Sequence, residues 1–224
     1  MIPFSNWLVL FFLHFAFLFF VARKPEQKPV LSRLSCNLVI IYFCLIATFS
    51  IEKYFSPSTY TVFLTLFPFY TLLFYFSQKS IRAEEFENIN PKLVVLIVFL
   101  GIAFAIFTKN LFDPLLYQDT VLYFTKYGKI IAFVFWCLLP AMFEEFFFRS
   151  YIFDKLSNNF SKNETIIISS FLFVLMHFVY FPINSFIYLS VLGVILGFIK
   201  IKYEKIFYCI IFHLTYNFFV LDIF

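Results

Sequence analysis

The ten residues AMFEEFFFRS, at positions 141 to 150, constrain this chain more than any other stretch. From Ile130 to Phe153 the sequence is almost wholly apolar, and at about 1.5 Å of rise per helical residue it is long enough to cross a bilayer. Yet Glu144, Glu145 and Arg149 sit within it. Ionisable groups at that depth are costly, face the interior of a helical bundle or a water-filled cavity, and by default mark a functional site.

The rest of the chain asks for the same solvent. With 62% hydrophobic and 13% charged residues over 224 positions, it holds far more apolar surface than a soluble fold of that size can bury. The apolar runs have helical lengths and continue far past any signal peptide, whereas outer-membrane barrel strands are short alternating segments. An all-α, polytopic transmembrane bundle is predicted, with about eight spans: roughly 4–22, 36–51, 57–77, 93–108, 129–153, 165–181, 183–200 and 206–222. ARKPEQKPVLSR, SQKSIRAEEFENINPK, residues 109–128 and DKLSNNFSKNE read as loops. The chain divides into N-terminal helices, 1–128, and a C-terminal core, 129–224, which holds the site inside the bundle.

Alternating the loops between two sides places Arg23, Lys24, Lys28, Arg33, Lys79, Arg82, Lys92, Lys155, Lys162, Lys200, Lys202 and Lys205 together, with Lys53, Lys109, Lys126 and Lys129 opposite. Basic residues favour cytoplasmic loops, so the first set is read as cytoplasmic and both termini as outside. This asymmetry accounts for the net charge of +4 without a nucleic-acid partner. Cys36, Cys44, Cys137 and Cys209 lack CxxC spacing and read as apolar packing residues, not as a zinc site or a disulfide framework. Gly193 and Gly197, in GVILG, form a small-xxx-small pattern that lets two helices approach closely. The high Phe, Ile, Lys and Asn usage points to an AT-rich bacterial genome and hence a bacterial cell membrane.

All three histidines, His14, His177 and His213, lie within predicted spans. Counted from the cytoplasmic ends, Glu144, His213, His177 and Asn217 fall at roughly 12 to 18 Å of depth, so three helices contribute to one layer. Glu145 and Arg149 are one turn apart, as are His213 and Asn217, and Phe173 and His177. Glu145 is expected to pair with Arg149, which leaves Glu144 without a neutralising neighbour in sequence. His14 has no polar companion on its span and is read as a packing residue.

An acid, two imidazoles and an amide, with no serine or cysteine in a nucleophile setting, suggest attack by an activated water. HExxH and a GxSG-like serine turn are absent, and the spans hold no pair of aspartates for an aspartyl dyad. A carboxylate base with one histidine, and a second histidine with an amide as oxyanion donors, would make an amide hydrolase. Glu144, His177 and His213 could alternatively hold a divalent metal such as zinc.

EEFFFR at Glu144 to Arg149 matches EExxxR, FVLMH at Phe173 to His177 matches FxxxH, and HLTYN at His213 to Asn217 matches HxxxN, in that order. The sequence resembles the CPBP intramembrane proteases, the CAAX protease and bacteriocin-processing (ABI) family, over about residues 129–222. The resemblance implies an intramembrane endopeptidase acting on a peptide or membrane-protein substrate. It implies that Glu144 and His177 activate the water, that His213 and Asn217 stabilise the oxyanion or help bind a metal, and that Glu145 and Arg149 support the site. Two other classes compete with it. A non-catalytic bacteriocin-immunity or regulatory protein would act by binding a partner, and a transporter would need paired broken helices in two repeated halves, which are not seen.

Overall fold

The computed structural model describes residues 25, 27–54, 59–109, 129–177 and 185–221. They form seven helices and, among the described residues, no strand. α1 is Gln27–Tyr54, α2 Thr59–Ser77 and α3 Pro91–Lys109; a 3-10 turn, Ala83–Phe86, lies between α2 and α3. α4 runs through 129–157, α5 is Lys162–His177, α6 Ser185–Tyr203 and α7 Ile206–Val220. The predicted all-helical class holds. The first predicted segment, 4–22, with His14, and the turn at Asn184 lie outside the described residues.

Among the described residues two helices, Pro91–Lys109 and Phe186–Tyr203, are long and apolar enough to cross a membrane, and Ile206–Val220 is a shorter apolar helix. α3 turns Val95, Leu96, Phe99, Leu100, Ile106 and Phe107 outward. Such a continuous exposed apolar face suits lipid better than water.

α1 corrects one predicted boundary. The stretch ARKPEQKPVLSR reads as a loop, but the helix already begins at Gln27. Pro29 stands in its first turn, where a missing N–H costs nothing. Leu31, Leu34, Leu38 and Ile41 follow at helical spacing and are all buried, so an apolar stripe carries the helix through its polar start. The connection at DKLSNNFSKNE shrinks in the same way, with α4 running to Ser157 and α5 starting at Lys162.

α4 alternates between α and π geometry, with wide turns at Phe133–Leu138 and Phe146–Ile152 on either side of Leu139–Glu145. Pro140 explains the first of these: it lacks an N–H and would clash with the carbonyl one turn earlier, and a wider turn absorbs both faults. The segment bearing both glutamates is therefore a short α-helical piece held between two expanded turns.

α7 packs most extensively against α3, and α6 against α5. The second contact is made by the predicted glycines: a Cβ on Gly193 would lie 3.0 Å from the Ser170 Cβ, and one on Gly197 would lie 3.0 Å from Ile166. Between α2 and α3, buried Glu85 accepts a hydrogen bond from the Ile206 backbone N–H at 3.0 Å and pairs with Lys200. Lys205 donates to the carbonyls of Glu84 and Glu87, and Asn90 N–H donates to the Tyr208 hydroxyl at 2.9 Å. A loop that reads as merely polar thus fixes the start of α7.

Candidate active site

Consecutive residues of an α-helix project about 100° apart, so Glu144 and Glu145 cannot serve the same neighbours. Both are buried, and each carboxylate meets a different histidine. Glu145 Oε1 lies 2.8 Å from His213 Nδ1, and Glu145 Oε2 lies 3.3 Å from Arg149 Nε. Glu144 Oε2 lies 3.4 Å from His177 Nε2 and makes no hydrogen bond among the described residues. The partner that adjacent sequence does not offer Glu144 comes from α5.

Arg149 is fully buried, and its guanidinium meets groups on three helices, although its Nε makes no hydrogen bond. Nη1 donates to Glu145 Oε1 at 3.5 Å, Nη2 donates to the Gly193 carbonyl at 3.1 Å, and the cation lies 4.7 Å from the Phe173 ring centroid. One side chain on α4 therefore touches α5 and α6, and it reaches α7 through Glu145 and His213. A buried cation needs this many partners to be tolerated.

Phe173 links the two histidines. Its ring centroid is 4.3 Å from that of His177 and 6.0 Å from that of His213, and its carbonyl accepts from His177 Nδ1 at 2.8 Å. A carbonyl can only accept, so the His177 proton sits on Nδ1, and in the neutral ring Nε2 presents a lone pair toward Glu144. The same reasoning at His213, whose Nδ1 faces the Glu145 carboxylate, leaves its Nε2 free of that contact.

Asn217 is half-buried one turn beyond His213 on α7. The six residues singled out from the sequence, Glu144, Glu145, Arg149, His177, His213 and Asn217, thus lie on α4, α5 and α7. The Phe173 ring and the Gly193 carbonyl were missed as parts of this assembly. The ring could have been suspected from the FxxxH spacing, and the carbonyl from the GVILG stripe, which marks close backbone approach.

A metal at Glu144, His177 and His213 would need three donors converging on one point. Among the described residues no three His, Cys, Asp or Glu side chains are grouped to hold an ion. His213 is turned instead to Glu145. As arranged, Glu144, His177 and His213 do not form a metal centre.

A carboxylate–imidazole pair on α4 and α5 thus lies beside a second such pair that reaches α7, both inside the helical bundle. Residues 126–219 match the family described as Type II CAAX prenyl endopeptidase Rce1-like. The matched stretch spans less than half of the chain and carries the helices of the site. No curated protein and no solved structure is significantly similar to the chain.

Proposed function

We propose that the chain is an intramembrane endopeptidase in which Glu144 and His177 activate a water molecule for attack on a peptide bond. One observation carries this reading: Glu144 Oε2 and His177 Nε2 face each other at 3.4 Å, and in the neutral ring, whose proton is held on Nδ1 by the Phe173 carbonyl, both are acceptors. Two acceptors at that separation repel unless a proton or a donor lies between them. A water that donates one hydrogen to each satisfies both, and its oxygen lone pair is left to attack a carbonyl carbon.

In this reading the water oxygen bonds to the scissile carbonyl carbon while its proton passes to Glu144. The carbonyl π electrons move onto oxygen, and the resulting oxyanion accepts from His213 Nε2–H and the Asn217 amide. His213 enters the step already protonated on both ring nitrogens, with Nδ1–H held by Glu145 and Arg149 balancing the Glu145 charge, and it neither gains nor loses a proton as the water attacks. Collapse of the tetrahedral intermediate breaks the C–N bond, and the proton held by Glu144 goes to the leaving amine. The substrate is a membrane-associated peptide or protein, in keeping with a polar site buried among apolar helices.

The test compares membrane-associated and secreted peptides from cells making wild type or Glu144→Gln at equal levels. A peptide cleaved only by the wild type supports the reading and identifies the substrate. Identical profiles, with both proteins folded, would overturn it.

A further inference from the structure

The groups assigned to the reaction are closed off. Glu144 is 7% exposed, His213 3%, and Glu145 not at all, so a peptide bond reaches them only if some covering part of the chain moves. Most of the surrounding helices are tied into the main core, where Phe147, Phe148, Phe173 and Phe212 are almost fully buried.

One wall is built differently. Phe146, Ile206 and Ile210 form a small apolar cluster apart from that core, and Ile81, Met142 and Phe143 pack against it. The cluster fills the seam between α4 and α7. Phe146 directly follows Glu145, and Ile210 lies about one turn before His213. From Ile206, at the polar end of α7, the seam runs about 10 Å along the helix to His213. Its cover comes from the connection between α2 and α3. Ile81 packs on the cluster, and the Phe86 ring centroid lies 6.3 Å from that of Phe146 and 6.5 Å from that of Phe207.

This cover is fastened in a way that lets go. Phe86 is 40% exposed and Ile81 partly so, and lifting them uncovers little new apolar surface. The other fastenings are polar: Glu85 to Lys200 and to the Ile206 N–H, and Lys205 to the Glu84 and Glu87 carbonyls. A buried ion pair gains in attraction about what it loses in hydration, so releasing both charges into water together is nearly balanced. Glu85 Oε1 tilts the balance further. It is buried with Arg82 Nε at 3.5 Å and no hydrogen bond, and water would supply one. We infer that residues 81–86 form a strap across the α4–α7 seam, latched through Glu85 to Lys200 and Ile206, which lifts to admit substrate. Its gating role rests on the protease reading; its opening does not.

Full-length protein in detergent tests the strap in two arms. In the first, Met142→Cys reports on the seam through its rate of reaction with a bulky water-soluble maleimide, above the rate of the same protein without that cysteine. Adding Ile81→Ser and Phe86→Ser should raise the rate roughly tenfold while the unfolding midpoint stays near that of the parent. In the second arm, Phe86→Cys and Phe207→Cys are joined by a short bis-maleimide with a cleavable disulfide, the exposed native Cys36 being replaced by Ser. Joining should slow cleavage of the peptide identified by the Glu144→Gln comparison about tenfold or more. Reduction of the linker should restore it, which separates a held strap from a damaged fold. An unchanged labelling rate, or a joined protein that cleaves as fast as the reduced one, would overturn the strap. If wild type cleaves no peptide, the protease reading fails, and the labelling arm alone decides whether the strap opens.

Discussion

His213 Nδ1 lies 2.8 Å from Glu145 Oε1, across 68 positions of sequence, while Glu144 beside it faces His177 at 3.4 Å. The two adjacent carboxylates are thus divided between two histidines on two helices. The Glu145 side of this division also holds Arg149 and so carries the structural load; the Glu144 side faces the His177 ring.

The first prediction separates those sides. Glu144→Gln keeps shape and hydrogen-bonding capacity but cannot take a proton, so cleavage should fall by about 10²–10⁴-fold, the usual contribution of a positioned general base. Its thermal midpoint should stay close to wild type. His177→Ala should lose activity comparably. Peptide hydrolysis by purified protein, with unfolding followed in the same detergent, checks both; full activity in either folded variant would refute the assigned roles.

Arg149 should behave in the opposite manner. Arg149→Leu leaves Glu145 buried beside His213 without its cation, which costs about 3–5 kcal/mol for a broken buried pair. Folded yield should drop before activity can be measured. Arg149→Lys should rescue only in part, because one ammonium cannot span Glu145, the Gly193 carbonyl and the Phe173 ring. Size-exclusion profiles and denaturation midpoints of the two variants decide this.

Gly193 gives a test of helix approach. A Cβ there would meet Ser170 at 3.0 Å and push α6 from α5, drawing its carbonyl away from Arg149. Gly193→Ala should lower stability by about 1–3 kcal/mol, the usual cost of overpacking. Removing the opposing Cβ with Ser170→Gly should recover part of that loss, in excess of the sum of the single effects. Denaturation of the two single variants and the double variant measures the coupling; strict additivity would dissociate the contact from the effect.

Asp154 supplies a pH prediction outside the apolar spans. Burial pushes its carboxyl above the ordinary Asp value, and this outweighs the opposing pull of Arg82 at 3.7 Å. The folded state therefore holds the proton to higher pH than the unfolded state does, so stability falls as pH rises through the raised value. Asp154→Asn should be the more stable protein at neutral pH, and the difference should vanish below the ordinary Asp range. Unfolding midpoints of both proteins across a pH series give the sign directly.

Much of the site was legible because membrane burial makes polar residues conspicuous. Among apolar helices a Glu, a His or an Arg stands out, and one-turn spacings put Glu145 with Arg149 and His213 with Asn217 on shared faces. The helices themselves were readable for a related reason: in a bilayer the backbone must pair internally, so long apolar runs become helices. Boundaries at polar ends were less readable. α1 starts inside a charged stretch where Leu31 and Leu34 are buried and Gln27 donates to the distant Asn159 carbonyl, and Glu85 is buried in a loop by Lys200 and the start of α7.

The residue types, their order and their spacing by themselves determined that this chain is helical, that its polar groups gather on α4, α5 and α7, and which family its C-terminal segment resembles. Those properties are local, set by hydropathy and by the 3.6-residue period. Only the tertiary structure decided which glutamate takes which histidine, that Phe173 lies beside both rings, and that Arg149 reaches the Gly193 carbonyl. Neighbouring carboxylates on a helix are chemically identical until other helices pack around them, and those contacts form between residues far apart in the chain.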